Sequence, residues 1–408
     1  MFGFTPSRDG LLQIEDDLLS SLIQKGNITG VYDLDKTPLG RGKYATVWRA
    51  VHKKTSTAYA AKFVKKRRRN QDQMKEIIHE IAVLMQCKST SRVIRLHEVY
   101  ESVTEMVLVL ELAAGGELQH ILDGGQCLGE VEARKAMKQI LEGVAYLHDR
   151  NIAHLDLKPQ NLLLSLQDCC DDIKLCDFGI SKVLMPGVSV REILGTVDYV
   201  APEVLSYEPI GLSTDIWSVG VLAYVLLSGF SPFGADDKQQ TFLNISQCTL
   251  SFEPEHFEDV SSAAIDFIKS ALIVNPRNRP NIHEMLDHPW ISLKSNVPPA
   301  LTLKPCDHTH QSNNVTPKST PLSQRKSFSC VTDGTTKTPA QRKTAFCSDT
   351  LTGSFTDTSP VHSDSEAPDS IPEDLIKVSD NLFVSDDVQS FPAPLFEIHY
   401  STIEMDIF

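Results

Sequence analysis

Residues 154–161 read His-Leu-Asp-Leu-Lys-Pro-Gln-Asn and place a carboxylate (Asp156), an ammonium (Lys158) and a carboxamide (Asn161) in one short loop. A carboxylate can orient an attacking hydroxyl, a cation can neutralise phosphate oxygens, and an amide oxygen can ligate magnesium. Together these groups suit phosphoryl transfer. A plain polar loop between a helix and a strand uses the same residue types, so the surrounding chain must decide between the two readings.

Four other stretches bear on that chemistry. Asp172–Cys176 reads as a short strand running into Asp177-Phe178-Gly179, 16 residues after Asn161. A hairpin spans that distance and would bring Asp177 to the same place as a second magnesium ligand. Earlier, residues 58–64 form an apolar strand interrupted by Lys62. A lysine buried there needs anionic partners to offset its desolvation, whereas on an edge strand it would face water. In the predicted helix 73–86, Met74, Ile77, Ile78, Ile81, Leu84 and Met85 share one face, and Glu80 falls on it. An inward carboxylate needs a cation, and Lys62 is the candidate. Finally, residues 39–47 (Leu39, Gly40, Arg41, Gly42, Lys43, Tyr44, Ala45, Thr46, Val47) follow the pattern G-x-G-x-x-A-x-V between two strand-like segments. Glycines let backbone amides approach phosphates closely. A strand rather than a helix follows, which argues against a dinucleotide-binding fingerprint.

The elements that must position these groups divide at residues 113–118, Ala-Ala-Gly-Gly-Glu-Leu. Before this joint the chain is strand-rich, ending in an apolar strand at 106–112. After it the chain is helical, with an amphipathic helix over 132–149 and a buried helix from Asp215 to Leu227. The apolar run within that last helix is too short to span a bilayer. Leu11, Ile14, Leu18 and Leu22 recur at helical spacing and predict a short amphipathic helix packed on the domain that follows.

The 408-residue chain has 41% hydrophobic residues, enough for a sizeable core, and a net charge of −14 that argues against nucleic-acid binding through bulk charge. Its nine cysteines form no C-x-x-C pair, so neither a zinc site nor a disulfide framework is expected, and the first residues do not read as a signal peptide. The five cations Lys65–Arg69 read as a solvated loop, with a nuclear-import or docking patch as the sharper alternative, so nuclear and cytoplasmic locations both stay open. From about residue 296 the composition turns rich in serine, threonine and proline, with 8 basic against 15 acidic residues, which predicts a largely disordered tail with an apolar end that could dock on a partner.

Taken in order, the glycine loop, Lys62, Glu80, the 154–161 loop, D-F-G and Ala201-Pro202-Glu203 resemble the protein-kinase signature set. The resemblance covers residues 33–291, flanked by an extension (1–32) and the tail (292–408). It implies an α+β, bilobal fold with a β-rich small lobe, a larger helical lobe, and ATP and Mg2+ between them. It further implies that residues 39–47 cover the phosphates and that Lys62, held by Glu80, pairs with them. Asp156 would be the base, Lys158 the cation at the transferring phosphoryl, and Asn161 and Asp177 the metal ligands. Leu110 resembles the residue behind adenine, with Glu111 and Ala113 as hinge partners, and Glu203 with Arg279 a structural ion pair. Glu117 is placed at the site, where it would read basic substrate residues.

Lys158 and Gly195-Thr196 resemble serine/threonine rather than tyrosine kinases. Residues 154–161, the Lys65–Arg69 run ahead of Glu80 and Phe242-Leu243-Asn244-Ile245-Ser246-Gln247 carry a finer likeness, to the death-associated protein kinase-related, apoptosis-inducing branch of the calcium/calmodulin-kinase group. It implies basic protein substrates, such as myosin regulatory light chain, and a part in cell death.

Several residues depart from the pattern. Leu155 replaces the arginine that receives a loop phosphate in many kinases, so phosphorylation at Ser181, Ser189 or elsewhere in the loop is not expected to be required. Gln160 replaces an acidic residue that reads substrate arginines, which predicts a weaker basic preference. Val197-Asp198 leaves open the specificity for the residue after the acceptor. No basic amphipathic helix follows Ile291, which predicts activity without calmodulin. Arg325-Lys326-Ser327 and Arg342-Lys343-Thr344 are candidate self-phosphorylation sites. Ala45 and Leu155 are the only support for the alternative of a non-catalytic scaffold that binds nucleotide or partners. A kinase of small molecules is disfavoured by the complete 180–203 segment.

Overall fold

The computed structural model describes residues 3–42, 45–68 and 71–292, together with the short strand Leu303–Pro305 paired to Gln126–Leu128. Lys43, Tyr44, Arg69 and every expectation placed on the tail beyond that strand lie outside the described residues.

The first half builds a six-stranded sheet in the order Ile23–Gln24, Leu96–Glu101, Glu105–Glu111, Ala58–Lys65, Ala45–His52, Tyr32–Arg41. All neighbours are antiparallel except Ile23–Gln24, which joins Leu96–Glu101 in parallel. Side chains alternate across a strand, and Glu105–Glu111 uses both faces. Met106 and Leu108 belong to the same buried core as Ile77, Ile81 and Leu84 of the helix Met74–Gln86. Val107 and Val109 face the other way into a cluster with Tyr32, Ala50, Ala61 and Tyr100, where the rings of Tyr59 and Tyr100 pack edge-on against Tyr32.

The expected helix over residues 11–22 is shorter than its spacing suggested. Leu12–Ile14 is a strand paired with Phe4–Pro6, and only Asp16–Leu22 is helical. Leu12 and Ile14 also fit a period of two, and Asp16 and Asp17 favour a helix start at that point, because acidic side chains complement the positive N-terminal end of the dipole. The five-cation run is likewise not a simple loop. Lys66 donates to Glu101 at 2.5 Å, and Arg67–Arg68 pairs with Gln71–Asp72.

The second half centres on the helix Leu212–Ser228, packed by Glu130–His148 and Ser262–Ala271. It is buried from Thr214 to Ser228, which is why it shows no polar stripe. No helix among the described residues is long and apolar enough to cross a membrane. Gly220 sits at the contact with Ser262–Ala271, where an added Cβ would lie 2.8 Å from both the Ala271 Cβ and a Leu272 methyl. Gly220→Val is therefore expected to destabilise the fold by about 1–3 kcal/mol through overpacking. The urea midpoint measures this, and an unchanged midpoint would show room that the packing denies.

Candidate active site

The joint at 113–118 leads into the short strand Gly116–Glu117, which pairs with Leu162–Leu166. That strand turns back through Cys169–Leu175, the hairpin expected between Asn161 and Asp177. The Cys176 amide then donates to the Asn161 carbonyl at 3.0 Å, fastening the two ends together.

Lys62 lies mid-strand between Val47 and Leu108. Its Nζ donates to Glu80 Oε1 at 2.7 Å and to Asp177 Oδ1 at 2.8 Å. Burial alone would push the ammonium's pKa down, but the carboxylates of Asp177 and Glu80 outweigh it and hold the group above its ordinary value. In return Lys62 pulls Asp177 below the usual carboxylate range against the effect of burial. A lysine from one strand, a glutamate from a helix and an aspartate 115 positions away thus share one charge cluster.

The 154–161 loop is held from below. Asp215, fully buried at the start of Leu212–Ser228, accepts from the amides of His154 and Leu155 at 2.8 Å each and from His148 Nε2 at 2.9 Å. Burial raises its pKa, but the hydrogen bond and charge of His148 and the nearby backbone donors prevail and keep it lowered. Leu155 and Asp177 both adopt left-handed backbone conformations, with φ of 67° and 63°. Such strain in non-glycine residues persists only where surrounding contacts over-determine it, as Asp215 does for Leu155.

Above this support, both oxygens of Asp156 are engaged. Thr196 Oγ1 donates to Oδ1 at 2.7 Å, Asn161 Nδ2 to Oδ2 at 2.8 Å, and Lys158 Nζ lies 2.8 Å from Oδ2. Lys158 also donates to Thr196 Oγ1 at 2.7 Å. Asn161 gives its second N–H bond to the Asp156 carbonyl, so its amide oxygen is left as an acceptor. The Asp177 side chain remains 48% exposed, with one oxygen beyond the one held by Lys62. Two hard oxygen donors of this kind suit magnesium, which is held by one or two protein groups together with phosphates rather than by a protein cage. Among the described residues, no cluster of three or more His, Cys, Asp or Glu forms such a cage.

Leu39, Gly40 and Arg41 end the strand Tyr32–Arg41, and Ala45, Thr46 and Val47 begin its partner, with the Gly42 amide donating to the Ala45 carbonyl. Leu110 and Glu111 end the strand Glu105–Glu111, and the Glu111 carboxylate pairs with Lys174 at 3.2 Å. Ala113 begins the joint, where its carbonyl accepts from Gly116. Glu117 is half-buried, and burial raises its pKa. Gln160 Oε1 is buried and accepts no hydrogen bond among the described residues. Glu203 and Arg279 form the expected buried pair. Ser181 is fully buried and hydrogen-bonded, so of the two loop serines only Ser189 is exposed.

Sequence reading gave no role to Asp215, His79 or His148 and used Thr196 only as part of a motif. Asp215 carried the same signal as Glu80, a carboxylate beside an apolar helical run, and could have been found by it.

Comparison with known proteins adds the following. The family described as Protein kinase domain matches residues 34–291. "Death-associated protein kinase related" of Drosophila melanogaster is 53% identical over 304 residues, 74% of this chain but 45% of that protein. "Serine/threonine-protein kinase 17A" of Oryctolagus cuniculus is 51% identical over 65% of this chain and 68% of its own length. Human "Death-associated protein kinase 2" is 45% identical over 64% and 71%. Among solved structures, the twitchin kinase region from C. elegans superposes with a TM-score of 0.60 and 34% identity over 70% of this chain and 50% of that one.

Proposed function

The chain belongs to the protein kinase family, and on that premise we propose that it transfers the γ-phosphoryl group of ATP to serine and threonine hydroxyls of proteins. The observation that carries this reading is the assembled pair of charge clusters: Asp156 with Thr196, Lys158 and Asn161, and Lys62 with Glu80 and Asp177. Asp156 orients the acceptor hydroxyl and receives its proton as the new O–P bond forms and the bond to the nucleoside diphosphate breaks. Lys158 offsets charge on the transferring group, and Lys62 orients the phosphates. Asn161 and Asp177 would hold magnesium, which when bound neutralises charge on the phosphate oxygens. The convergence of Asp156, Lys158, Asn161, Lys62, Glu80 and Asp177 supports a catalytic reading over a scaffold without activity.

The names of the relatives support a serine/threonine enzyme acting in cell-death signalling. Glu117 beside Gln160, one carboxylate and one neutral acceptor, supports a modest preference for basic residues upstream of the acceptor. Leu155 supports activity independent of loop phosphorylation, because leucine cannot hold a phosphate. The sequence after Ile291, in which no basic amphipathic helix is read, supports activity without calmodulin.

The test is transfer of label from ATP to peptides with and without upstream arginines. Purified chain is expected to label the basic peptide faster, to keep its rate after phosphatase treatment, and to ignore calcium and calmodulin. No transfer to any peptide would refute the reading. Loss of nearly all rate after phosphatase would refute the independence from loop phosphate.

A further inference from the structure

The segment before the six-stranded sheet is bonded to the parts of the site that must stay aligned. Leu11, Leu12 and Ile14 are buried, and the strand Leu12–Ile14 packs on the helix Met74–Gln86 that carries Glu80. The Leu12 amide donates to His79 Nδ1 at 2.8 Å. On the other side of the ring, His79 Nε2 lies 2.9 Å from Ser181 Oγ, and that hydroxyl donates to the Phe178 carbonyl at 2.8 Å. A serine hydroxyl has one hydrogen, so Nε2 must be the donor to Ser181 and Nδ1 the acceptor from Leu12. The fully buried imidazole is therefore neutral and in one tautomer. Burial, which pushes its pKa down to about 4, keeps it so.

A second bond runs beside the first. The Val183 amide donates to the Gly10 carbonyl at 2.7 Å, and Lys182–Val183 pairs with Ile152–Ala153, directly before the 154–161 loop. Gly10 has φ of 77°, a backbone conformation that favours glycine, and an added Cβ would lie 3.2 Å from the Lys182 side chain. At its far end the segment is fastened by Ile23–Gln24 in the sheet.

His79 precedes Glu80 on one helix. A rotation that carries Glu80 away from Lys62 also displaces His79, which is bonded to Leu12 and Ser181. From this geometry we propose that residues 4–14 are a built-in strap that holds Glu80 on Lys62 and fixes Asp177-Phe178-Gly179, with His79 as the positioning residue that joins them. In kinases whose Lys–Glu pair and D-F-G aspartate must be aligned, phosphorylation of the activation loop often does this work. Here Leu155 offers no cation for such a phosphate, and the strap supplies the alignment from the same chain. The inference rests on the kinase reading for its consequence in rate, but not for its geometry.

The experiment uses the full chain with two kinds of variant. Leu12→Asp/Ile14→Asp releases the strap, while His79→Phe keeps a packed ring and removes both hydrogen bonds. Each is expected to lower kcat for a basic peptide by about tenfold or more, with the peptide KM changed less than about threefold. His79→Gln retains a donor for Ser181 and is expected to recover part of the rate. Amide exchange is expected to quicken in Met74–Gln86 and to stay at the parental rate in Leu212–Ser228.

Parental kcat in the release variant or in His79→Phe overturns the proposal. So does exchange that quickens equally in both helices, which marks general destabilisation. If the parent chain itself transfers no phosphate, the kinase reading has failed. The exchange comparison then decides the strap alone, and unchanged exchange in Met74–Gln86 overturns it.

Discussion

Asp156→Asn is expected to lower kcat by about 10²–10⁴-fold, the range for loss of a positioned general base, with the KM for ATP nearly unchanged. Asparagine keeps the shape of the side chain but brings an N–H2 group to a place already filled by the donors Thr196, Lys158 and Asn161. The acceptor hydroxyl then has no base, while Lys62, Glu80 and Asp177 are untouched. A loss confined to kcat is the signature of an interaction made only in the transition state. Steady-state transfer to a peptide measures it. More than about a tenth of the parental kcat would remove Asp156 from its assigned role.

Glu203→Ala is expected to cost about 3–5 kcal/mol of stability, because it strands a buried cation. The Arg279 and Glu203 side chains are 0% and 3% exposed. Arg279 Nη1 and Nη2 donate to Glu203 Oε1 and Oε2 at 2.8 Å each, and the other guanidinium hydrogens go to the carbonyls of Ile273, Ser213 and Val274. Thr214 also donates to Glu203 at 2.9 Å. A loss of that size is a large fraction of the roughly 5–15 kcal/mol that stabilises a folded domain. Arg279→Lys is expected to lose much of it too, since an ammonium cannot form the two-pronged contact. In Glu203→Met/Arg279→Met neither charge is left unpaired, so the loss should be smaller than the sum of the losses of Glu203→Met and Arg279→Met made singly. Denaturant midpoints of the four proteins decide this, and additive losses would show that the two residues act separately.

Both changes fall on residues named before any coordinates, through the resemblance of the ordered motifs to the protein-kinase signature set rather than through local chemistry alone. Glu80 sits on an apolar helix face and so demanded a cation, while Lys62 in its apolar strand was the candidate partner, with an edge position facing water as the alternative. The distance from Asn161 to Asp177 is one that a short hairpin provides. The helix Leu212–Ser228 was legible from its uninterrupted apolar run. Residues 11–22 were misread in extent because leucine and isoleucine at positions 11, 14, 18 and 22 fit a helix throughout, while 12 and 14 also fit a strand. A short apolar segment carries no local preference strong enough to choose, and docking on Met74–Gln86 chose for it.

By itself, then, the sequence determined the chemical groups, their order along the chain and the elements that carry them, since spacing and periodicity are local properties. Only the tertiary structure decided how those groups are held. Thr196 on Asp156, Asp215 under the 154–161 loop and His79 between Leu12 and Ser181 join residues 40 to 102 positions apart. No propensity specifies such pairings. They arise because burying these polar groups leaves an uncompensated cost unless each finds a partner, and the packed core determines which partner is within reach.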